Sequence, residues 1–417
     1  MVGAGIFALL GEAGAVAGSA VWISFLLAGT VSTLIGYNVV KLGVRYPSSG
    51  GLFAYLLEGF GNGRLVGVAS WLGYLSAILI VCSMCAVSFG TYATTLFVGE
   101  EAGAGWDNFF TSLIVVAMAG VVMVGPKLVD RAQSLIVFIM LGVFAVFIAA
   151  TFFTIDLDLL AFSGYPGISD IVASVALTFF AYLGFSVITF AVGDMLNPDR
   201  DLPKAMLLAL VVTTFLYIVV SLSVFGTLTV EEVVRYGETA IAEAARPTLG
   251  DAGFTMMAIA AMVGMAGSVV ATLYASSGLT SMLAGVGQFP RLLGRDSQLG
   301  RYGGVLISAA AVLVVANLVD LSAIASVGSA CSLMVFVLVG IAGYRLRSNT
   351  GANGAVIIAG VLATLVVLGF FVVDTFRDAP QTFTAIVVIA LLAVALDAVW
   401  KRIRGEPPEA QPDVAAA

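Results

Sequence analysis

Residues 1–14 read MVGAGIFALLGEAG, and residues 171–194 read IVASVALTFFAYLGFSVITFAVGD. The first stretch sets Gly3 and Gly5 around Ala4 and then runs apolar only as far as Gly11-Glu12. A helix needs roughly 20 apolar residues to cross the hydrocarbon of a bilayer. The opening therefore supplies about half a span, led by the residue that weakens helices most after proline. The second stretch is long enough to cross, yet it carries Gly184 at its middle, flanked by Phe180, Ala181, Tyr182 and Phe185.

Working outward, the whole chain has the composition of a membrane protein. Of its 417 residues 60% are hydrophobic and 10% charged, with a mean hydropathy of +1.09. Soluble domains hold roughly 45–50% apolar and about 25% charged residues. After the opening segment, apolar stretches fall near 18–40, 65–98, 108–125, 133–153, 168–192, 205–229, 253–286, 303–319, 321–343, 354–373 and 380–400, giving twelve segments. The end of the chain, GEPPEAQPDVAAA at 405–417, is polar and proline-rich and reads as a disordered tail.

The basic residues fix an orientation. Lys41, Arg45, Arg64, Lys127, Arg131, Arg200, Lys204, Arg291, Arg295, Arg301, Arg345, Arg347, Lys401, Arg402 and Arg404 follow the even-numbered segments, which places 15 of the 18 Lys and Arg on one side. Arg235, Arg246 and Arg377 are left for the other, among Glu100, Glu101, Asp107, Asp156, Asp158, Glu231 and Glu232. Basic loops stay in the cytoplasm, so a multi-pass cell-membrane protein with both termini cytoplasmic is expected.

The two glycine-interrupted segments are first and sixth. Five is odd, so a second set of five helices enters the membrane from the side opposite to the first, the arithmetic of an inverted repeat with one broken helix leading each half. Backbone groups freed by a break cost several kcal/mol in hydrocarbon unless a ligand or cavity satisfies them. Half-helix N-termini carry partial positive charge and C-termini partial negative charge, which suits a small zwitterion. Glycines that merely let helices pack closely are the plainer reading; their spacing five spans apart favours the break.

Three further stretches, with the opening, carry a resemblance. MVGAGIF (1–7), YNVVKLGVRYPSSGGLFAYLLEGFG (37–61), FFAYLGFSVITFAVGDMLNPDRDLPKA (179–205) and GSVVATLYASSGLTSMLAGVGQFPRLLGR (267–295) together resemble the helix 1, loop 2–3, helix 6 and helix 8 signatures of the amino acid–polyamine–organocation (APC) superfamily of permeases. The resemblance implies an all-α five-plus-five inverted-repeat transporter with two additional C-terminal helices. Residues 1–154 would form the first repeat with helix 1 incomplete, 155–350 the second, 351–404 the added helices, and 405–417 the cytoplasmic tail. It also implies a half-helix ahead of the Gly3-Ala4-Gly5 motif, so that a start upstream of Met1 is expected.

Carried over by position, the substrate carboxylate meets backbone N–H groups around Gly3, Ala4, Gly5 and Ile6. The ammonium meets carbonyls around Phe180, Ala181 and Leu183, while Tyr182, Gly184 and Phe185 shape the pocket and Phe179 or Phe180 gates it. Ser276 and Ser277 stand where sodium-coupled relatives place hydroxyl ligands; back-bonding to their own helix is the structural alternative. No cofactor is expected beyond a coupling Na+ or H+. The partners expected are a small amino acid, neutral by the aromatic lining, and the lipid bilayer, with no nucleic acid. The chain departs from the family at Lys41, where an acid is common, and at Gly193-Asp194, where two acids are common. No ionisable residue lies between Gln133 and Thr154, so a helix 5 lysine acting as a proton surrogate has no counterpart.

Other features have plainer readings. Cys82-Ser-Met-Cys85 has redox spacing but sits in an apolar run with Cys331 in another, as small buried residues. Lys127, Asp130 and Arg131 form a solvated, orientation-setting cluster, with Arg200 and Lys204 holding the turn after the sixth segment. Glu12 is a helix-end charge or lines an outer vestibule. The absence of His, and of clustered acids or a Ser-Lys pair inside the spans, argues against a membrane-embedded enzyme. An amine antiporter is the nearest variant of a secondary transporter, and a channel fits two broken helices less well than one occluded site does.

Overall fold

The computed structural model describes residues 2–99, 103–294, 302–318 and 321–404, all helix and connecting turns with no strand among them. The tail expected at 405–417, Met1, and the loop residues Glu100, Glu101, Arg295 and Arg301 lie outside the described residues. Every one of the twelve apolar stretches is helical. They are α1 (Ala4–Ala17), α2 (Val21–Arg45), α3 (Arg64–Phe97), α4 (Ala104–Val124), α5 (Pro126–Thr151) and α6 (Ile168–Phe180). Then follow α7 (Pro198–Phe225), α8 (Arg246–Gly285), α9 (Gly303–Leu318), α10 (Leu321–Arg345), α11 (Gly354–Asp378) and α12 (Pro380–Arg404).

Among the described residues ten helical runs are long and apolar enough to cross a bilayer, α1 and α2 counting as one run of 42 residues, and α9 is a shorter apolar helix. Proline marks several starts, at or next to the first helical position of α5, α7 and α8. There the missing N–H is one the helix could not have used, and the fixed φ suits the first turn. Several boundaries differ from the sequence expectation. α1 does not stop at Gly11-Glu12 but continues to Ala17, because Gly11 is packed against the backbone of Gly237 rather than ending the helix. α7 and α8 begin earlier than the apolar periodicity suggested, their polar first turns standing clear of the apolar stretch.

Burial separates an inner from an outer set. In α6 72% of the most apolar window is buried, in α12 only 17%. α1, α2, α3, α6, α8 and α10 form the interior: α1 packs on α6, α2 on α6 and α7, α8 on α3 and α5, and α10 on α11. The outer helices present Phe138, Leu362, Val388 and Leu391 outward. An exposed apolar surface of this extent has no place in water and is at home against lipid chains.

Three helices are irregular, and all three are interior. α3 holds a π-helical stretch at Tyr74–Ile80, a form found mostly as functional bulges. α8 has a non-helical residue near its start, Gly250, at φ +63°. α6 ends at Phe180, turns at Ala181-Tyr182, and continues as a 3-10 run over Leu183–Asp194. The 176–190 segment is thus interrupted, though at Ala181-Tyr182 rather than at Gly184, which lies within the 3-10 run. Contacts decide the position: the Tyr217 hydroxyl of α7 donates to the Ala181 carbonyl at 3.1 Å, and Ala181 is small enough to receive α1.

Candidate functional site

α1 begins directly after Gly3, whose extended backbone offers no side-chain cap. The first N–H groups of a helix have no partner inside it and carry the positive end of the helix dipole. Here they belong to Ala4, Gly5 and Ile6, all buried, and together they form an anion-attracting terminus. Gly5 rests on Ala181: a Cβ added to it would lie 2.7 Å from Ala181 Cβ and closer still to Ala181 Cα. The start of α1 and the interruption of α6 therefore touch, at residues that the sequence had paired only by position.

The α6 end supplies the opposite polarity. Its final turn tightens, with the Ala181 amide donating to Thr178 O at 3.1 Å and the Tyr182 amide to Phe179 O at 2.9 Å. The Ala181 carbonyl accepts from Tyr217 at 3.1 Å and has a second lone pair suited to a donor such as an ammonium, while the Leu183 carbonyl, at the head of the 3-10 run, takes the Ser186 hydroxyl at 2.8 Å. Tyr182 is held by its hydroxyl, which donates to Phe25 O at 2.9 Å, and its ring meets that of Tyr217 edge-on at 5.3 Å.

The aromatic residues divide. Phe179 and Phe185 both pack on Phe336 of α10, at 5.9 and 5.2 Å between centroids. Phe180 instead lies over Gly328, where an added Cβ would be 2.7 Å from its ring. A small cavity of about 30 Å³ adjoins the 3-10 run and is lined by Leu183, Gly184, Ser186 and Phe190, by Ser76 and Ile78 of the π-helical stretch, and by Ser332 and Phe336 of α10. Of the residues expected to bind, Leu183 and Gly184 face this cavity. Gly5 and Ala181 make the junction beside it, with Ala4 and Ile6 buried at the start of α1; Gly3 faces Ser268, Tyr182 bonds α2, and Phe179, Phe180 and Phe185 pack toward α10.

Ser276 and Ser277 are placed elsewhere. The Ser276 hydroxyl donates to Leu273 O at 2.7 Å within its own helix, and next to the pair Gly278 is pressed against Ser49 of the loop after α2. The α8 residues that reach α1 lie about two turns earlier: Ser268 against Gly3, and Gly264 facing the Val2 carbonyl, with Met140 of α5 filling the same corner. Cys85 of α3 brings its sulfur within reach of the Ala4 amide and the Ser268 hydroxyl. Sequence reading missed Ser268, Gly264, Tyr217 and Cys85 as neighbours of the site. A partial signal was there for the first two: small residues four apart lie on one helix face and permit close packing in membranes.

A bundle of apolar helices whose first helix begins, and whose sixth is interrupted, at one shared junction is the architecture of a membrane transporter. The sequence profile of the amino acid permease family matches residues 1–396, and the chain belongs to that family. It is 28% identical to the inner membrane transport protein YbaT of Escherichia coli over 402 residues, 96% of this chain and 93% of that one. It is 27% identical to the serine/threonine exchanger SteT of Bacillus subtilis, over 64% of this chain and 61% of that one. With the branched-chain amino acid permease BcaP of Bacillus subtilis it shares 25% identity, over 55% and 52%. The protein is a multi-pass membrane transporter of this family and not an enzyme.

Proposed function

We propose that this protein is a secondary active transporter that carries neutral amino acids across the cell membrane by alternating access. The contact of Gly5 with Ala181 carries the reading. It sets the first amides of α1 and the carbonyls of the α6 turn side by side, a pair of opposite partial charges suited to a carboxylate and an ammonium. A solute would span the two from the cavity side, with its side chain toward Gly184, Ser186 and Phe336. That lining is apolar apart from hydroxyls, and a charged side chain there would be unpaired. Residues 1–154 and 155–350 serve as the two halves that move around this junction, and the Lys and Arg distribution supports cytoplasmic termini.

Uptake of a labelled amino acid panel into proteoliposomes tests the proposal. Neutral amino acids are expected to accumulate and to raise the melting temperature of the purified protein as ligand binding to the folded state requires, while lysine and glutamate do neither. No uptake and no thermal shift with any amino acid would sink it.

We further infer that sodium does not drive the cycle. The corner where α8 meets α1 holds the Val2 carbonyl and the Ser268 hydroxyl, but it is closed by Met140, whose soft thioether is a poor ligand for a hard cation. Uptake is expected to be unchanged when sodium is replaced by choline. Abolished uptake in choline would overturn this and return Ser268, with Ser276 and Ser277, to consideration as ligands.

A further inference from the structure

The segment between α7 and α8 folds back over the end of the bundle away from the Asn197-Pro198 turn. A short helix at Val230–Tyr236, capped by Thr229 and Glu232 in a reciprocal box, leads into a 3-10 turn at Gly237–Thr239 and a further turn at Ala240–Glu243. The segment seats on α1, with the Gly237 backbone packed against Gly11, and on α3, where the Tyr92 hydroxyl donates to the Glu238 carbonyl at 2.5 Å. Ala240, Ile241 and Ala242 are fully buried. This is a lid laid over the outer half of α1, the helix whose other end forms the site.

Glu238 sits at the centre of that seat. Its Oε2 is shut off from solvent and accepts no hydrogen bond. Beside it lies the hydroxyl of Ser88 of α3, itself wholly buried and without a hydrogen-bond partner. The charged groups facing Glu238 are Glu12 of α1 and Asp107 of α4, both acids. The cations of the neighbourhood are engaged elsewhere: Arg246 of α8 pairs with Glu243 at 2.8 Å and with Asp251 at 2.6 Å, and Arg235 lies 4.8 Å above the Tyr236 ring. A carboxylate in this position faces two acids and no counter-charge, with the Ser88 hydroxyl available as donor, whereas a carboxylic acid is free of that repulsion and can use the same hydroxyl as an acceptor.

We propose that Glu238 is a proton-binding switch for the lid: the 229–245 segment seats on α1 and α3 with this carboxyl protonated, and loss of the proton loosens the seat and opens this end of the transport path. Burial, reinforced by Glu12 and Asp107 and opposed by Ser88, pushes its pKa up to about 7, so the switch works near neutrality. For an acid raised in the folded state, stability is full below the unfolded value and is lost as pH rises through the folded one. The melting temperature should therefore fall as pH rises from about 5 to about 8, through the window between the ordinary carboxyl pKa and the raised one. The proton is the ligand, and its role in uptake rests on the transport reading above, whereas its binding to the lid does not.

Glu238→Gln keeps the shape of the protonated side chain, which makes the test sharp. In the purified protein, Glu238→Gln is expected to melt as the wild type does at about pH 5 and at a higher temperature than the wild type at about pH 8, removing the slope. It should also remove an infrared carboxylic-acid band present in the wild type at neutral pH. In proteoliposomes the wild type is expected to change its uptake rate severalfold across the same range and the variant to hold one rate. Glu238→Asp, which cannot reach the Ser88 pocket equally, should keep a slope shifted toward acid. A variant that retains the wild-type slope in melting temperature, or a wild type without one, overturns the switch. A lost melting slope together with no uptake by either protein would support the proton site and defeat the transport reading instead.

Discussion

Gly5→Val is expected to abolish amino acid uptake while leaving a protein that still inserts into the membrane. The added Cβ would meet the Cα and Cβ of Ala181, the latter at 2.7 Å, and the obstacle is largely backbone, which cannot swing aside as a side chain can. Overpacking of this kind costs about 1–3 kcal/mol, and the bundle absorbs it most cheaply by moving α1 off the α6 turn. That separates the two half-helix ends proposed to hold opposite poles of the solute, so uptake should fall by more than about tenfold, the equivalent of about 1.4 kcal/mol in a barrier. Gly3→Ala is the control, since its Cβ would meet chiefly the Ser268 side chain, which can rotate. It should keep most of the activity. If Gly5→Val transports as well as Gly3→Ala does, the Gly5–Ala181 contact is packing and nothing more.

The second large effect lies far from the site, at the last helix. Asp397 of α12 is fully buried and is bridged by Lys401 one turn on, at 2.9 Å, the lysine being about one-third exposed. The surroundings are polar and tight: Gly67 of α3 leaves room there that a Cβ would take from Lys401 and Gln288. Gln288 bonds Asn62, and Trp400 and Arg404 both donate to Gly287 O. Lys401→Met is expected to destabilise the protein by about 3–5 kcal/mol, because it strands a carboxylate in the interior. The double variant Asp397→Asn with Lys401→Met should recover most of that loss, since it removes the uncompensated charge. Equal melting temperatures for the single variant and the wild type would show that the Asp397–Lys401 bridge adds nothing to stability.

How much of this was legible beforehand can be argued from α1, α6 and α8. The apolar runs gave all twelve helices, because membrane spans are set by length and hydropathy, which are local properties. The interruption of α6 was also legible from Gly184 amid aromatic residues, but its place was not. Ala181-Tyr182 turns where Tyr217 can bond the freed carbonyl and Gly5 can approach, and both partners come from other helices. The end of α1 was misjudged for the same reason: Gly11 reads as a helix stop, yet it serves as a seat for Gly237.

The serines of α8 show the limit most clearly. Ser276 and Ser277 stood out as an adjacent pair, while Ser268 looked like any small residue; helix register against α1 made Ser268 the neighbour of Gly3. Glu238 carried no sequence signal at all, since a single acid in a polar loop reads as solvated. By itself, the sequence determined the membrane setting and the places of the apolar helices, because each follows from the free energy of burying a contiguous stretch in lipid. Only the tertiary structure decided which side chains meet, and with them the turn in α6, the corner closed by Met140 and the unpaired carboxyl under the lid. Those depend on the rotation and offset of one helix against another, which packing sets and composition does not record.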